Sequence, residues 1–170
     1  LPALQEQRIL IVDDIEMNRR IIAAMLRQVN VPFAEAGSAA EAMSKLQYAY
    51  EKGTPFTIGI LDFQMPEISG EELAQRIKVD SKFAKMQLIM FTSYGRRGDA
   101  QRLQEIGFAA YLTKPLKQHL LFDTLSAVVG AAQANEQPMY EKPAGPLERN
   151  PTCPHDDAEA HRCNVCKHVL

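Results

Sequence analysis

The sequence predicts an α/β protein: a doubly wound, five-stranded parallel sheet with helices on both faces. Three observations carry that prediction. Short, mostly apolar runs alternate five times with segments of helical periodicity. The first run is continuously apolar, as expected of a strand buried on both faces. Strict alternation of strand and helix builds parallel sheets through right-handed crossovers.

The elements follow in order. Arg8-Ile9-Leu10-Ile11-Val12 is the first strand and ends in Asp13-Asp14. From Glu16 the pattern is helical, with Met17, Ile21, Met25 and Val29 recurring every four residues and Ile22 beside them. Pro32 to Ala36 is a weaker second strand. Ser38, with Glu41 three residues on, reads as a capping box, and Gly53 as the helix stop. Phe56 to Leu61 is the third strand, delivering Asp62 to its end before Gln64-Met65-Pro66 and Gly70 turn the chain away. Ser69 caps a helix carrying Leu73 and Ile77, with Glu71 and Glu72 in its first turn. Met86 to Phe91 is the fourth strand and ends in Thr92-Ser93. A polar helix from Asp99 to Ile106 stops at Gly107. Phe108 to Leu112 is the fifth strand, followed by Thr113-Lys114-Pro115 and a last helix with Leu121, Leu125, Val128 and Ala132 on one face.

Composition bounds the function classes. A chain of 170 residues, 46% hydrophobic and 24% charged, suits one compact domain with some length to spare. A net charge of −2 gives no basis for a nucleic-acid or membrane surface. No apolar stretch approaches the roughly 20 residues that span a bilayer, and Leu1-Pro2-Ala3-Leu4 lacks the pattern of a signal peptide. A cytoplasmic module is the expectation. All three Cys, three of the four His and five of the ten Pro lie beyond residue 134. The expected organisation is therefore a lead-in over 1–6, a folded domain over 7–134 and a separate tail over 135–170.

The strand ends hold the chemistry. Asp13 and Asp14 follow strand one, Asp62 ends strand three, Thr92 strand four, and Lys114 follows strand five. In a doubly wound sheet these ends converge on one edge, near the point where strand order reverses. Each residue alone has a plainer reading as a cap, a turn former or a solvated charge. Five at successive strand ends are harder to assign that way. Three carboxylates brought together call for a cation, and hard oxygen ligands suit Mg²⁺ (or Mn²⁺). Lys114 is a point charge for phosphate, and Thr92 supplies a hydroxyl. That set fits phosphoryl transfer, with Asp62 as the nucleophile.

The same residues carry a family resemblance. Asp13-Asp14, Asp62 with Met65-Pro66 and Gly70, Thr92-Ser93 and Lys114-Pro115 resemble, in order, the motif set of the response-regulator receiver domain of two-component systems. The intervals fit too, with 48 residues from Asp14 to Asp62, 30 to Thr92 and 22 to Lys114. The resemblance implies a flavodoxin-like sheet in the order 2-1-3-4-5. It implies that Asp62 accepts a phosphoryl group from a phosphohistidine on a histidine kinase or histidine phosphotransfer domain. Asp14, Asp62 and the Gln64 main-chain carbonyl would hold Mg²⁺ directly, and Asp13 through water. Thr92 and Lys114 would bind the phosphoryl oxygens, a cis Lys114-Pro115 bond would aim the amine, and Tyr111 would be the switch aromatic coupled to Thr92. By the same analogy Gln64 and Tyr94 flank the path of a hydrolysing water. The wording around Asp13 and Lys114 is similar to receivers of hybrid sensor histidine kinases. A homodimer is a further candidate assembly. Two other classes compete: an Asp-nucleophile, Mg²⁺-dependent phosphatase or hydrolase, and an interaction domain that is never phosphorylated. The first usually needs a cap or general acid that no insertion after Asp62 supplies; the second would be marked by a lost motif residue.

The tail stands apart. Cys153, His155, His161, Cys163, Cys166 and His168 include one C-x2-C pair, with Cys153, Cys163, Cys166 and His168 as candidate Zn²⁺ ligands. The spacing lacks a second metal-binding half, so a linker or disordered segment is the stronger expectation.

Overall fold

The computed structural model describes residues 2–93 and 99–134. Tyr94 and every tail residue named above lie outside the described residues. Five strands, β1 (Ile9–Val12), β2 (Phe33–Ala36), β3 (Ile58–Asp62), β4 (Gln87–Thr92) and β5 (Phe108–Thr113), form one parallel sheet in the order β2-β1-β3-β4-β5. The expected order therefore holds. Among the described residues six helices accompany it: α1 (Pro2–Gln5), α2 (Glu16–Gln28), α3 (Ala39–Glu51), α4 (Gly70–Val79), α5 (Asp99–Ile106) and α6 (Gln118–Ala134).

Side-chain alternation divides the core into two layers. Ile9 and Ile11 of β1 join Ile22 and Leu26 of α2 and Leu121 and Leu125 of α6 on one face. Leu10 and Val12 join Leu46 of α3, Leu73 and Ile77 of α4 and Leu103 of α5 on the other. Both faces of β1 and β3 are buried throughout, which is why those runs are apolar without interruption.

Helix ends follow local chemistry. Ser69 accepts from the Glu72 amide and Glu72 returns a bond to the Ser69 amide, a complete capping box. At α3 only half the expected box forms. Ser38 accepts from Glu41 N, but the Glu41 carboxylate takes the Gly37 amide at 2.7 Å instead of that of Ser38. Gly53, at φ 70°, closes α3 in a left-handed turn, as its sequence position suggests. Asn30, at φ 57°, does the same for α2.

Two expectations fail. Only the first half of the Met17, Ile21, Met25 and Val29 row of α2 turns away from the core: Met17 is 62% exposed and Ile21 42%, whereas Met25 and Val29 pack half-buried against it. Ile22, expected beside that row, is fully buried together with Ala23 and Leu26, because their i, i+3, i+4 stripe meets the sheet squarely. Within residues 1–6, Leu4 of α1 is 2% exposed against the α2–α6 layer, a contact on which the sequence reading is silent. Ala132, expected on the buried face of α6, is exposed, whereas Leu121, Leu125 and Val128 are buried.

Candidate functional site

The site sits where the sheet reverses its order. β1 and β3 are neighbours with Val12 opposite Leu61, so Asp13 and Asp62 leave the sheet side by side. On the other flank Asp62 pairs with Phe91, and Thr92 with Thr113. Backbone bonds lock these ends together: Lys114 N donates to Thr92 O at 2.8 Å, and Phe63 N to Phe91 O at 2.9 Å. The Lys114-Pro115 bond is cis, as the resemblance implies.

Among the described residues, Asp13, Asp62 and Thr92 are the buried polar ones, while Asp14 is exposed. Among the described residues, Asp13, Asp14 and Asp62 bring three carboxylate oxygens within 4.8 Å of one another. Lys114 Nζ reaches Asp62 Oδ1 at 2.8 Å and Asp13 Oδ2 at 3.1 Å, and lies 4.7 Å from the centre of the Phe91 ring. The expected Asp13, Asp14, Asp62 and Lys114 therefore form one cluster. Thr92 ends the adjoining strand. Gln64 is exposed in the loop two residues past Asp62. Tyr111 is half-buried on β5 opposite Met90, packed toward the α3–α5 layer.

The two buried carboxylates differ in what they have left to offer. Asp13 Oδ1 accepts from Ile15 N at 2.8 Å and Asn18 Nδ2 at 3.1 Å; Oδ2 accepts from Asn18 Nδ2 at 2.9 Å and from Lys114. With two acceptor sites per oxygen, Asp13 is largely saturated by protein. Asp62 spends Oδ1 on Lys114, and its Oδ2 has no hydrogen-bond partner among the described residues. Burial pushes the Asp62 carboxyl above its ordinary value and, with repulsion from Asp13 and Asp14, outweighs the pull of Lys114. Burial alone would lower Lys114, but its hydrogen bonds to Asp62 and Asp13 hold it above the usual lysine range.

Two positioning residues were not assigned from sequence. Asn18 grips both oxygens of Asp13, and Arg19 Nη1 donates to the Asp13 carbonyl at 2.6 Å and the Asp14 carbonyl at 3.3 Å. Arg19 is itself braced by Glu35 of β2 at 3.6 Å. A polar pair in the first turns of a helix just after two aspartates is the signal that points to them. Behind Asp62, Gly70 is a steric necessity: a Cβ there would stand 2.1 Å from the Asp62 carbonyl oxygen. Glu67, at φ 68°, makes the left-handed turn in the intervening loop.

Known proteins share this architecture. The response regulator receiver domain model matches residues 9–126. The chain is 30% identical over 124 residues to chemotaxis protein CheY1 of Helicobacter pylori, covering 72% of this chain and 97% of that protein. It is 26% identical to the polar-differentiation response regulator DivK of Brucella ovis, over 73% and 97% of the two chains. Vibrio cholerae chemotaxis protein CheY4 superposes with a TM-score of 0.66 at 25% identity, covering 72% of this chain and 98% of that one. A sheet in this order, carboxylates at its reversal point, a lysine after the last strand and a family match across most of the chain converge: this chain belongs to the response regulator receiver domain family.

Proposed function

We propose that the chain is the phosphoacceptor of a two-component phosphorelay, with Asp62 as the residue phosphorylated. The observation that carries this reading is the asymmetry of the carboxylates: Asp13 is saturated, whereas Asp62 keeps Oδ2 uncommitted beside a fixed ammonium. Oδ2 attacks the phosphorus of a phosphohistidine on a histidine kinase or phosphotransfer domain. The new O–P bond forms as the P–N bond breaks, and the bonding electron pair leaves with the imidazole. Lys114 and Thr92 receive the phosphoryl oxygens, where charge spreads in the transition state.

The donor set fits a small, hard cation: Asp14 and Asp62 with the Gln64 carbonyl would hold Mg²⁺ or Mn²⁺, and Asp13, its own acceptors filled, would act through water. When bound, the ion neutralises the carboxylates and the incoming phosphoryl group. Once phosphorylated, Asp62 draws Thr92 and with it Tyr111, biasing the packing of β4 and β5. The wording of the motifs favours a receiver of hybrid-kinase type that passes its phosphoryl group onward in the cytoplasm. Ile15 (53% exposed), Met17 and Ile21 put apolar side chains at solvent on or just before α2, beside the site, where a helical donor would dock.

Intact mass after incubation with Mg²⁺ and acetyl phosphate tests the acceptor. Wild type gains one base-labile phosphoryl group and Asp62→Asn gains none; an adduct on Asp62→Asn, or turnover without an adduct, overturns the assignment. Met17→Asp tests the docking face: transfer from a histidine donor falls about tenfold or more while acetyl phosphate labelling is unchanged.

A further inference from the structure

At the opposite edge of the sheet, away from Asp62, a groove of about 400 Å³ runs beneath the starts of β3 and β4 from α3 to α6. Its lining is mainly apolar, including Tyr50, Phe56, Phe83, Met86, Val129 and Ala132. Tyr50 and Phe83 meet edge to face at 6.1 Å, which holds the mouth in a defined shape. Lys82 and Lys85 also line it. Lys82 donates to the Gln47 side-chain oxygen at 3.0 Å, and neither lysine has a carboxylate partner among the described residues. Such a surface suits an occupant with an apolar centre and acidic flanks.

The chain carries one next to the groove. Ala132 lies on the last turn of α6, and residues 135–170 follow. Their first stretch reads Glu136-Gln137-Pro138-Met139-Tyr140-Glu141. An apolar pair with an aromatic ring is flanked by acids on both sides. Met139 is seven residues beyond Ala132, a reach of up to roughly 23 Å at about 3.3 Å per residue. We propose that Pro138-Met139-Tyr140 seats in this groove on its own domain, with Glu136 and Glu141 facing Lys82 and Lys85. The seat would anchor the start of the tail to the edge of the sheet opposite the phosphoacceptor.

Hydrogen exchange on the full chain tests it. In wild type, amides of residues 83–87 and of Gln137, Met139, Tyr140 and Glu141 should exchange about tenfold more slowly than in the Met139→Ser/Tyr140→Ser double variant. Lys82→Glu/Lys85→Glu should reproduce the loss in residues 137–141 without changing the urea midpoint. Equal exchange in wild type and the tail variant overturns the proposal. Protection that grows with protein concentration also overturns it, by assigning the groove to the tail of a second copy.

Discussion

Asp62 carries two opposed demands. For the proposed transfer its carboxylate must be accessible enough to attack phosphorus, yet it is 4% exposed and has two acidic neighbours. The consequence is a carboxyl raised above its ordinary value of 3.8, chiefly by burial. An acid whose folded-state value is raised binds more protons folded than unfolded, so stability falls as pH climbs from 3.8 through the folded value. Above that window the folded protein bears the full penalty of the buried charge. Asp62→Asn should remove the decline and stabilise the metal-free protein by about 1–2 kcal/mol at neutral pH. Urea midpoints of both proteins from pH 3.5 to 8 measure it; a wild-type curve that rises over the same window would contradict the assigned direction. The identities of Asp13, Asp14, Asp62, Thr92 and Lys114 were all legible in the sequence. The roles of Asn18 and Arg19 were not, because a polar residue on a helix reads as solvated until its partner is known.

At the scale of elements, the loop from β3 to α4 is where backbone and chemistry are most tightly joined. Gly70 begins α4 against the Asp62 carbonyl, and its amide donates to Phe63 O at 3.1 Å. Both contacts are to backbone, which cannot swing aside. Gly70→Ala should therefore cost about 2–3 kcal/mol and displace the end of β3, slowing acetyl phosphate labelling as well. Denaturant unfolding and the mass assay together check it; a stable variant with normal labelling would show that the loop accommodates the methyl group. Helix α2 gives the complementary lesson. Met17 and Ile21 fall on a regular four-residue row, yet the sheet takes Ile22, Ala23 and Leu26. Met25 and Val29 of that row do pack against the core, and periodicity alone does not say how far along the helix a row stays covered.

For the whole molecule, stability should depend on the ion. If Mg²⁺ is held by Asp14 and Asp62, it binds the folded state only, since the unfolded chain places these residues 48 apart. At a free concentration of 100 times Kd the gain is about 2.7 kcal/mol, read as a rise in Tm. Asp14→Asn should abolish most of that rise while changing little in the absence of metal, because Asp14 is exposed. Chelation should reverse the wild-type gain. An identical Mg²⁺ response in both proteins would move the ion away from Asp14. No helix among the described residues is long and apolar enough to cross a membrane.

The sequence by itself determined the α/β class, the alternation of elements and the residue types at each strand end. These are local properties, written in apolar runs, caps and turn residues. Tertiary structure decided the rest. It left the Met17 and Ile21 end of α2 at solvent, and it drew Leu4 into the core. It also placed a register shift between Leu88 and Ile89 that leaves Ala109 unpaired on β5. That extra residue lets Ala109 and Ala110 pack on the same α2–α6 face and returns Tyr111 to the other. It decided, finally, that Asp13 is saturated and Asp62 is not. Such choices depend on contacts between residues far apart in the chain, and no local pattern encodes a partner's position.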